Sequence, residues 1–272
     1  MTGIIRLAAI KAFTALTGEA AFSLIRGASG FFRNVYRFSA ITGRTIARSH
    51  LFLRNPDRTI TQMWSLGVES LPLVSVIAIF LGSETVIQAV YQMAGIVPMR
   101  YLGVLVCKSL TTELGPVITC MVVAGRVTTG IAAEIGSMKT TEQLDAMQVL
   151  RLDPIRYLIV PRIVACIIMV PVLVILGECV AFIGSIVTVA LSVDMTMHEY
   201  LSGLRLFFHA QDLFIGVTKT IVFGAIIALT GAHFGFEAKG GAEGVGNATT
   251  KAVITAAVLI LIFDFVIGVL VL

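Results

Sequence analysis

The sequence predicts an all-α integral membrane protein: a basic amphipathic helix at the N-terminus, about five transmembrane helices, and a short helix in a cytoplasmic loop. Three observations carry this. Of the 272 residues, 57% are hydrophobic and only 13% are charged, against about 25% charged in an ordinary soluble domain. Mean hydropathy is +0.95. The apolar residues are gathered into long runs, and a helix needs ~20 of them to cross a bilayer. A large soluble helical protein is excluded, because 16 acidic and 20 basic residues are too few to solvate a globule of this size. The net charge of +4 gives no nucleic-acid footprint.

Residues 1–62 are too interrupted by charge to span. They hold nine of the 20 basic residues. At ~100° per residue, Arg33, Arg37, Arg44 and Arg48 fall within about 60° of one another on a helix. Phe31, Val35, Phe38 and Ile46 lie on the opposite face. A helix lying in the membrane interface, basic face toward anionic head groups, has this pattern. Lys11 and Glu19 interrupt any signal-peptide core.

Five apolar segments follow, near 64–93, 102–135, 159–192, 214–236 and 252–272. The second and third exceed the minimum span length, which implies tilt or extension beyond the bilayer. The segments and the loops between them read as one domain over 1–272, with a bundle at 63–272 behind the interfacial region. The loops at 1–62, 136–162 and 237–251 carry fifteen Lys and Arg residues, whereas those at 94–101 and 193–213 carry only Arg100 and Arg205. The positive-inside rule places the first set in the cytoplasm. The N-terminus is then cytoplasmic and the C-terminus periplasmic. The glycine-rich run at 240–246 reads as a tight cytoplasmic turn. The four cysteines lie in apolar stretches without C-x-x-C spacing and read as small buried hydrophobes.

The loop 136–157 contains Thr140 followed by Gln143, the spacing of a capping box. Leu144, Met147 and Leu150 recur on one side, and Pro154 ends the element. The expectation is a short amphipathic helix at 140–151. It either packs on its own bundle or serves as a docking knob for a soluble partner, with Glu142, Asp145 and Arg151 beside the apolar stripe.

Charges inside a bilayer are costly, so Glu69, Glu84, Lys108, Glu113, Arg126, Glu178, Lys219 and Asp264 are candidate functional residues. Snorkelling or a structural ion pair accounts well for Glu69, Lys108 and Arg126 near span ends. It accounts less well for Glu113, Lys219 and Asp264. In the second span, Leu110, Leu114, Val117 and Met121 recur at helical spacing beside Glu113; in the first, Val86 and Val90 accompany Gln88. An apolar wall with a few polar contacts suits a diacyl lipid. No G-x-x-x-x-G-K-[ST] phosphate loop occurs, and no Ser-His-Asp set or metal cluster emerges. The chain therefore reads as no enzyme, with no cofactor or metal of its own.

The runs Glu113-Leu-Gly-Pro116, Ala124-Gly-Arg126, Ala132-Ala-Glu134-Ile-Gly136, Thr141-Glu-Gln143, Asp153-Pro-Ile-Arg156 and Pro161-Arg162 resemble the MlaE-type permease family. So do Gly240-Gly-Ala-Glu-Gly-Val-Gly246, Ala248-Thr-Thr250 and Asp264-Phe-Val266. Relatives often carry a basic residue before the first glutamate; here it is Thr112, so that neighbouring ion pair is absent. The resemblance implies a homodimeric ABC permease in a bacterial inner membrane. It implies a phospholipid substrate in a cavity at the dimer interface, a periplasmic MCE-domain partner, and a role in outer-membrane lipid asymmetry. ATP would be bound by two cytoplasmic ABC ATPases. These would dock on the coupling residues Glu134, Thr140, Glu142, Asp145, Met147, Leu150, Arg151 and Asp153. A proton-coupled secondary transporter using Glu113, Lys219 and Asp264, or a membrane anchor for an ATPase that transports nothing, are the alternatives.

Overall fold

The computed structural model describes residues 56–93, 97–206 and 208–271, together with Gly43. The basic stripe Arg33, Arg37, Arg44 and Arg48 and its opposing apolar face lie outside the described residues. Among the described residues the structure is helical, without strands. Lipid offers no partner for a free backbone N–H or C=O, so a helix, which satisfies both internally, is the available solution for these segments.

Five helical spans cross the molecule: the first over Pro56–Met93, the second over Met99–Thr140, the third over Ile155–Ser192, the fourth over Ala210–Glu237 and the fifth over Gly241–Val271. They all belong to one compact unit, Thr45–Leu272. The first span begins earlier than its hydropathy suggests, because a polar helix Pro56–Leu66 leads into Leu71–Met93. The two are joined by Gly67 and a 3-10 turn at Val68–Ser70. Pro72 explains the break: it has no N–H to continue the preceding helix, but fits the first turn of a new one.

Close backbone approach at small residues sets the packing, as expected where lipid removes the hydrophobic drive between helices. A Cβ on Gly82 would lie 1.8 Å from the Ala181 carbonyl oxygen, and one on Gly184 would lie 2.4 Å from that of Ile79. The first and third spans therefore touch backbone to backbone. Gly231 and Gly235 seat the fourth span on Ile131 and Ile135 of the second, and Gly224 seats it on Cys166 of the third. The fifth span buries only the stripe Ala248, Ala252, Ala256 and Ile260. Three cysteines are buried, as their apolar surroundings suggest, but Cys179 is exposed.

Several loops differ from the sequence reading. The fifth span starts at Gly241 rather than near Ala252. The turn is confined to Gly240 and Gly241, with φ of +90° and +69°, while Gly244 and Gly246 are helical. The second span runs on through Thr140, so the short helix occupies only Gln143–Val149. Thr140 caps nothing: its hydroxyl donates back to the Ser137 carbonyl at 3.1 Å. The chain instead reverses through Glu142, held at φ 60°. Pro154 begins the third span rather than ending the short helix, which stops earlier, before Arg151 at φ 56°. At the opposite end, the 193–213 loop holds a helix, Met197–Leu206. Tyr200 anchors it: the ring is wholly buried and its hydroxyl donates to Ser185 Oγ at 2.9 Å. Burial pushes the phenol up to about 12, so it remains a neutral donor.

Candidate functional site

The second span is interrupted at its most polar point. Residues Leu110–Leu114 form a π-turn, and the Gly115 N–H reaches back to the Leu110 carbonyl. Pro116 follows. It cannot supply the next helical N–H, which leaves a carbonyl in this turn without its ladder partner. Lys219, on the fourth span, takes up that vacancy: its ammonium donates to the Thr112 carbonyl at 3.3 Å and to Glu113 Oε1 at 2.7 Å. Asp264 Oδ1 of the fifth span lies 3.0 Å from the same nitrogen, as an ion contact without hydrogen-bond alignment. Lys219 is fully buried, while the side chains of Asp264 and Glu113 are 17% and 42% exposed.

Three spans are thus tied at one cation. The three residues that ranked as hardest to explain by snorkelling are brought together, and Lys219 supplies the counter-ion that Thr112 does not. The site lies about 14 Å along the fourth span from Ala210, at 1.5 Å per residue. Gly216 makes the approach possible, since a Cβ there would stand 2.4 Å from the Thr111 carbonyl oxygen. Gly216 and the Thr112 carbonyl escaped the sequence reading, and Pro116 entered it only as the end of the Glu113-Leu-Gly-Pro116 run. The pairing of Pro116 with a lysine on another span was the available signal, but only the fold shows which lysine.

The charges near the span ends are also paired. Arg126 binds Glu69 at 3.0 Å and the Ser70 hydroxyl, and Lys108 lies 3.4 Å from Asp212. These contacts match the ion-pair explanation for Glu69, Lys108 and Arg126.

At the end bearing the basic loops, Glu134 pairs with the buried Arg162 at 2.5 Å. Asp145 pairs with Lys139 at 3.3 Å, and Asp153 accepts the Ile155 N–H at 3.1 Å. The stripe of the short helix is divided. Leu144 is buried and Met147 half-buried, whereas Leu150 is 70% exposed, beside Val149 at 83%. Glu142 and Arg151 are exposed.

Between the first and second spans lies a groove of about 350 Å³, lined in part by Leu81, Glu84, Gln88, Leu105, Leu114 and Ile118. Of the residues read as a lipid wall, Gln88 and Leu114 line it. Val117 is half-buried and Met121 exposed. Leu110 and Val86 have no exposed surface. They sit in the core behind the groove, because the π-turn alters the helical phase at Leu110 and the Gly82 contact turns Val86 inward. As placed, neither can touch a ligand.

The family model described as Permease MlaE matches residues 59–270. The chain is 40% identical over 211 residues to a protein named "Probable ABC transporter permease protein" from Synechocystis sp., an alignment covering 78% of this chain and 80% of that one. It is 36% identical over 230 residues to a protein of the same description from Rickettsia prowazekii, covering 85% and 88%. It is 32% identical over 210 residues to another from Porphyra purpurea, covering 77% and 80%.

Proposed function

The chain belongs to the MlaE family of ABC transporter permeases, and we propose that it moves phospholipid between a bacterial inner membrane and a periplasmic MCE-domain partner, maintaining outer-membrane lipid asymmetry. It is a multi-pass membrane protein, and an ABC permease implies a separate ATPase. The observation that carries the lipid reading is the groove between the first two spans. Its apolar wall of Leu81, Leu105, Leu114 and Ile118 suits acyl tails, and Glu84 and Gln88 offer polar contacts. Two copies of the chain would close the groove. The basic loops then face the cytoplasm and the C-terminus the periplasm. For an ABC permease, proton coupling through Glu113, Lys219 and Asp264 has no support, and the three charges read better as a brace.

The lipid path is tested by photo-crosslinking in membranes. A reactive residue at Leu114 should capture phospholipid more strongly than one at Leu261, half-exposed on the fifth span. A bulky neighbour at Ile118 should abolish the difference. Equal capture at both positions means that only bulk lipid is seen, and the groove is then no transport site.

The ATPase would dock on the short helix Gln143–Val149. An apolar pair exposed at the end of a loop helix suits insertion into a partner groove. Asp145 is engaged with Lys139, so the informative change is at the apolar pair. Val149→Asp with Leu150→Asp should reduce ATPase co-purification at least about tenfold while leaving the permease in the membrane. Unchanged co-purification would remove this helix from the interface.

A further inference from the structure

The first span carries a polar ladder where lipid-facing residues should be apolar. Glu84, Gln88 and Gln92 recur every fourth residue and all line the groove. Glu84 and Gln88 are exposed, as is Gln92. The ladder rises about 12 Å from Glu84 to Gln92. An ionisable residue in a span defaults to a pathway or a partner. Glu69, Glu113 and Asp264 each have a cation at 3.0 Å or less. Glu84 has none among the described residues. It is engaged by the Gln88 amide, whose Nε2 donates to Glu84 Oε1 at 2.9 Å.

That bond has two consequences. It orients the Gln88 amide with its nitrogen toward Glu84, and an amide nitrogen has a second hydrogen to give. It also leaves Glu84 Oε2 free to accept. The groove thus offers one anionic acceptor beside neutral amide donors, with Ser109 on the facing wall. A cation is called for at Glu84, and a group that accepts hydrogen bonds is called for one turn away.

On the reading of the chain as a phospholipid permease, we propose that this ladder selects the headgroup: Glu84 receives the ammonium of a zwitterionic, amine-bearing phospholipid, and the Gln88 and Gln92 amides receive its phosphate. A charge-assisted N⁺–H···O⁻ bond is stronger than a neutral one. A lipid whose headgroup carries only negative charge meets the carboxylate as a like charge in a water-poor groove, where repulsion is weakly screened. The spacing agrees: the Glu84 carboxylate and the Gln88 amide lie 2.9 Å apart, so an ammonium on Glu84 Oε2 and a phosphate on the outer hydrogen of the amide fall within the reach of a single headgroup.

The test uses the full-length permease, wild type and the variants Glu84→Gln and Glu84→Lys. Each is equilibrated with vesicles of equal phosphatidylethanolamine and phosphatidylglycerol, re-extracted, and its retained lipid measured by mass spectrometry. Wild type should retain the ethanolamine lipid over the glycerol lipid by roughly fivefold. Glu84→Gln should bring the ratio near one, and Glu84→Lys should invert it. A ratio unchanged in both variants overturns the headgroup assignment while leaving lipid binding intact. A ratio unchanged together with altered cross-linking between copies assigns Glu84 to a second copy of the chain and likewise overturns it. If wild type retains no phospholipid beyond an unrelated membrane protein treated alike, the transport reading itself fails, and the headgroup assignment with it.

Discussion

Replacing Lys219 with methionine is expected to destabilise the chain by about 3–5 kcal/mol, the usual cost of removing one partner from a buried ion pair, and to abolish transport. The ammonium is fully buried and holds Glu113, Asp264 and the Thr112 carbonyl. Without it, two carboxylates and an unsatisfied carbonyl remain on two helices with no compensating charge, in surroundings where such groups are expensive. The measurement is thermal unfolding of the purified permease in detergent, alongside lipid transfer in proteoliposomes. A triple variant, Lys219→Met with Glu113→Gln and Asp264→Asn, removes every charge at once and should recover most of the lost stability. Lys219→Arg should recover less, because a planar guanidinium needs more room than the gap closed by Gly216 allows. If Lys219→Met unfolds with the wild type, the charges do not brace the bundle.

Gly82→Val is the second change expected to have a large effect. The incoming side chain would meet the Ala181 carbonyl oxygen at 1.8 Å from Cβ alone. Backbone cannot swing aside as a side chain can, so the first and third spans must separate. Overpacking in a core costs about 1–3 kcal/mol, and parting two helices along a backbone contact belongs at or above the top of that range. The loss should appear as less folded protein in the membrane and a lower unfolding temperature. Gly130→Ala is the control: nothing stands within 4 Å of its would-be Cβ, and alanine is the better helix former. It should be neutral or slightly stabilising. Equal loss in both variants would show that the cost reflects glycine removal in general, not the close approach.

The five spans were legible in the sequence because hydropathy over ~20 residues is a local property and lipid leaves a helix little alternative. The charges Glu113, Lys219 and Asp264 were legible as exceptional for the same reason: the bilayer penalises each one independently of its neighbours. The first misreadings arose where a local signal had two outcomes. Thr140 and Gln143 have capping-box spacing, but the second span keeps its axis through Thr140 and takes its turn at Glu142. The glycines at 240–246 are all permissive, yet only Gly240 and Gly241 adopt positive φ, because two residues suffice to reverse the chain and the rest can join the fifth span.

The sequence by itself determined which segments lie in the membrane, which loops are basic and which residues are too polar to stand there alone, since each follows from composition along a short stretch of chain. Only the tertiary structure decided that Lys219 answers both Glu113 and Asp264, that Leu110 and Val86 face the core, and that Glu84 stands on a groove without a cation among the described residues. Those outcomes depend on the rotation and height of one helix against another, which are set by backbone contacts at Gly82, Gly184 and Gly216 and by the π-turn before Pro116. A period of 3.6 residues places a side chain on a face of its own helix, but it carries no information about what that face will meet.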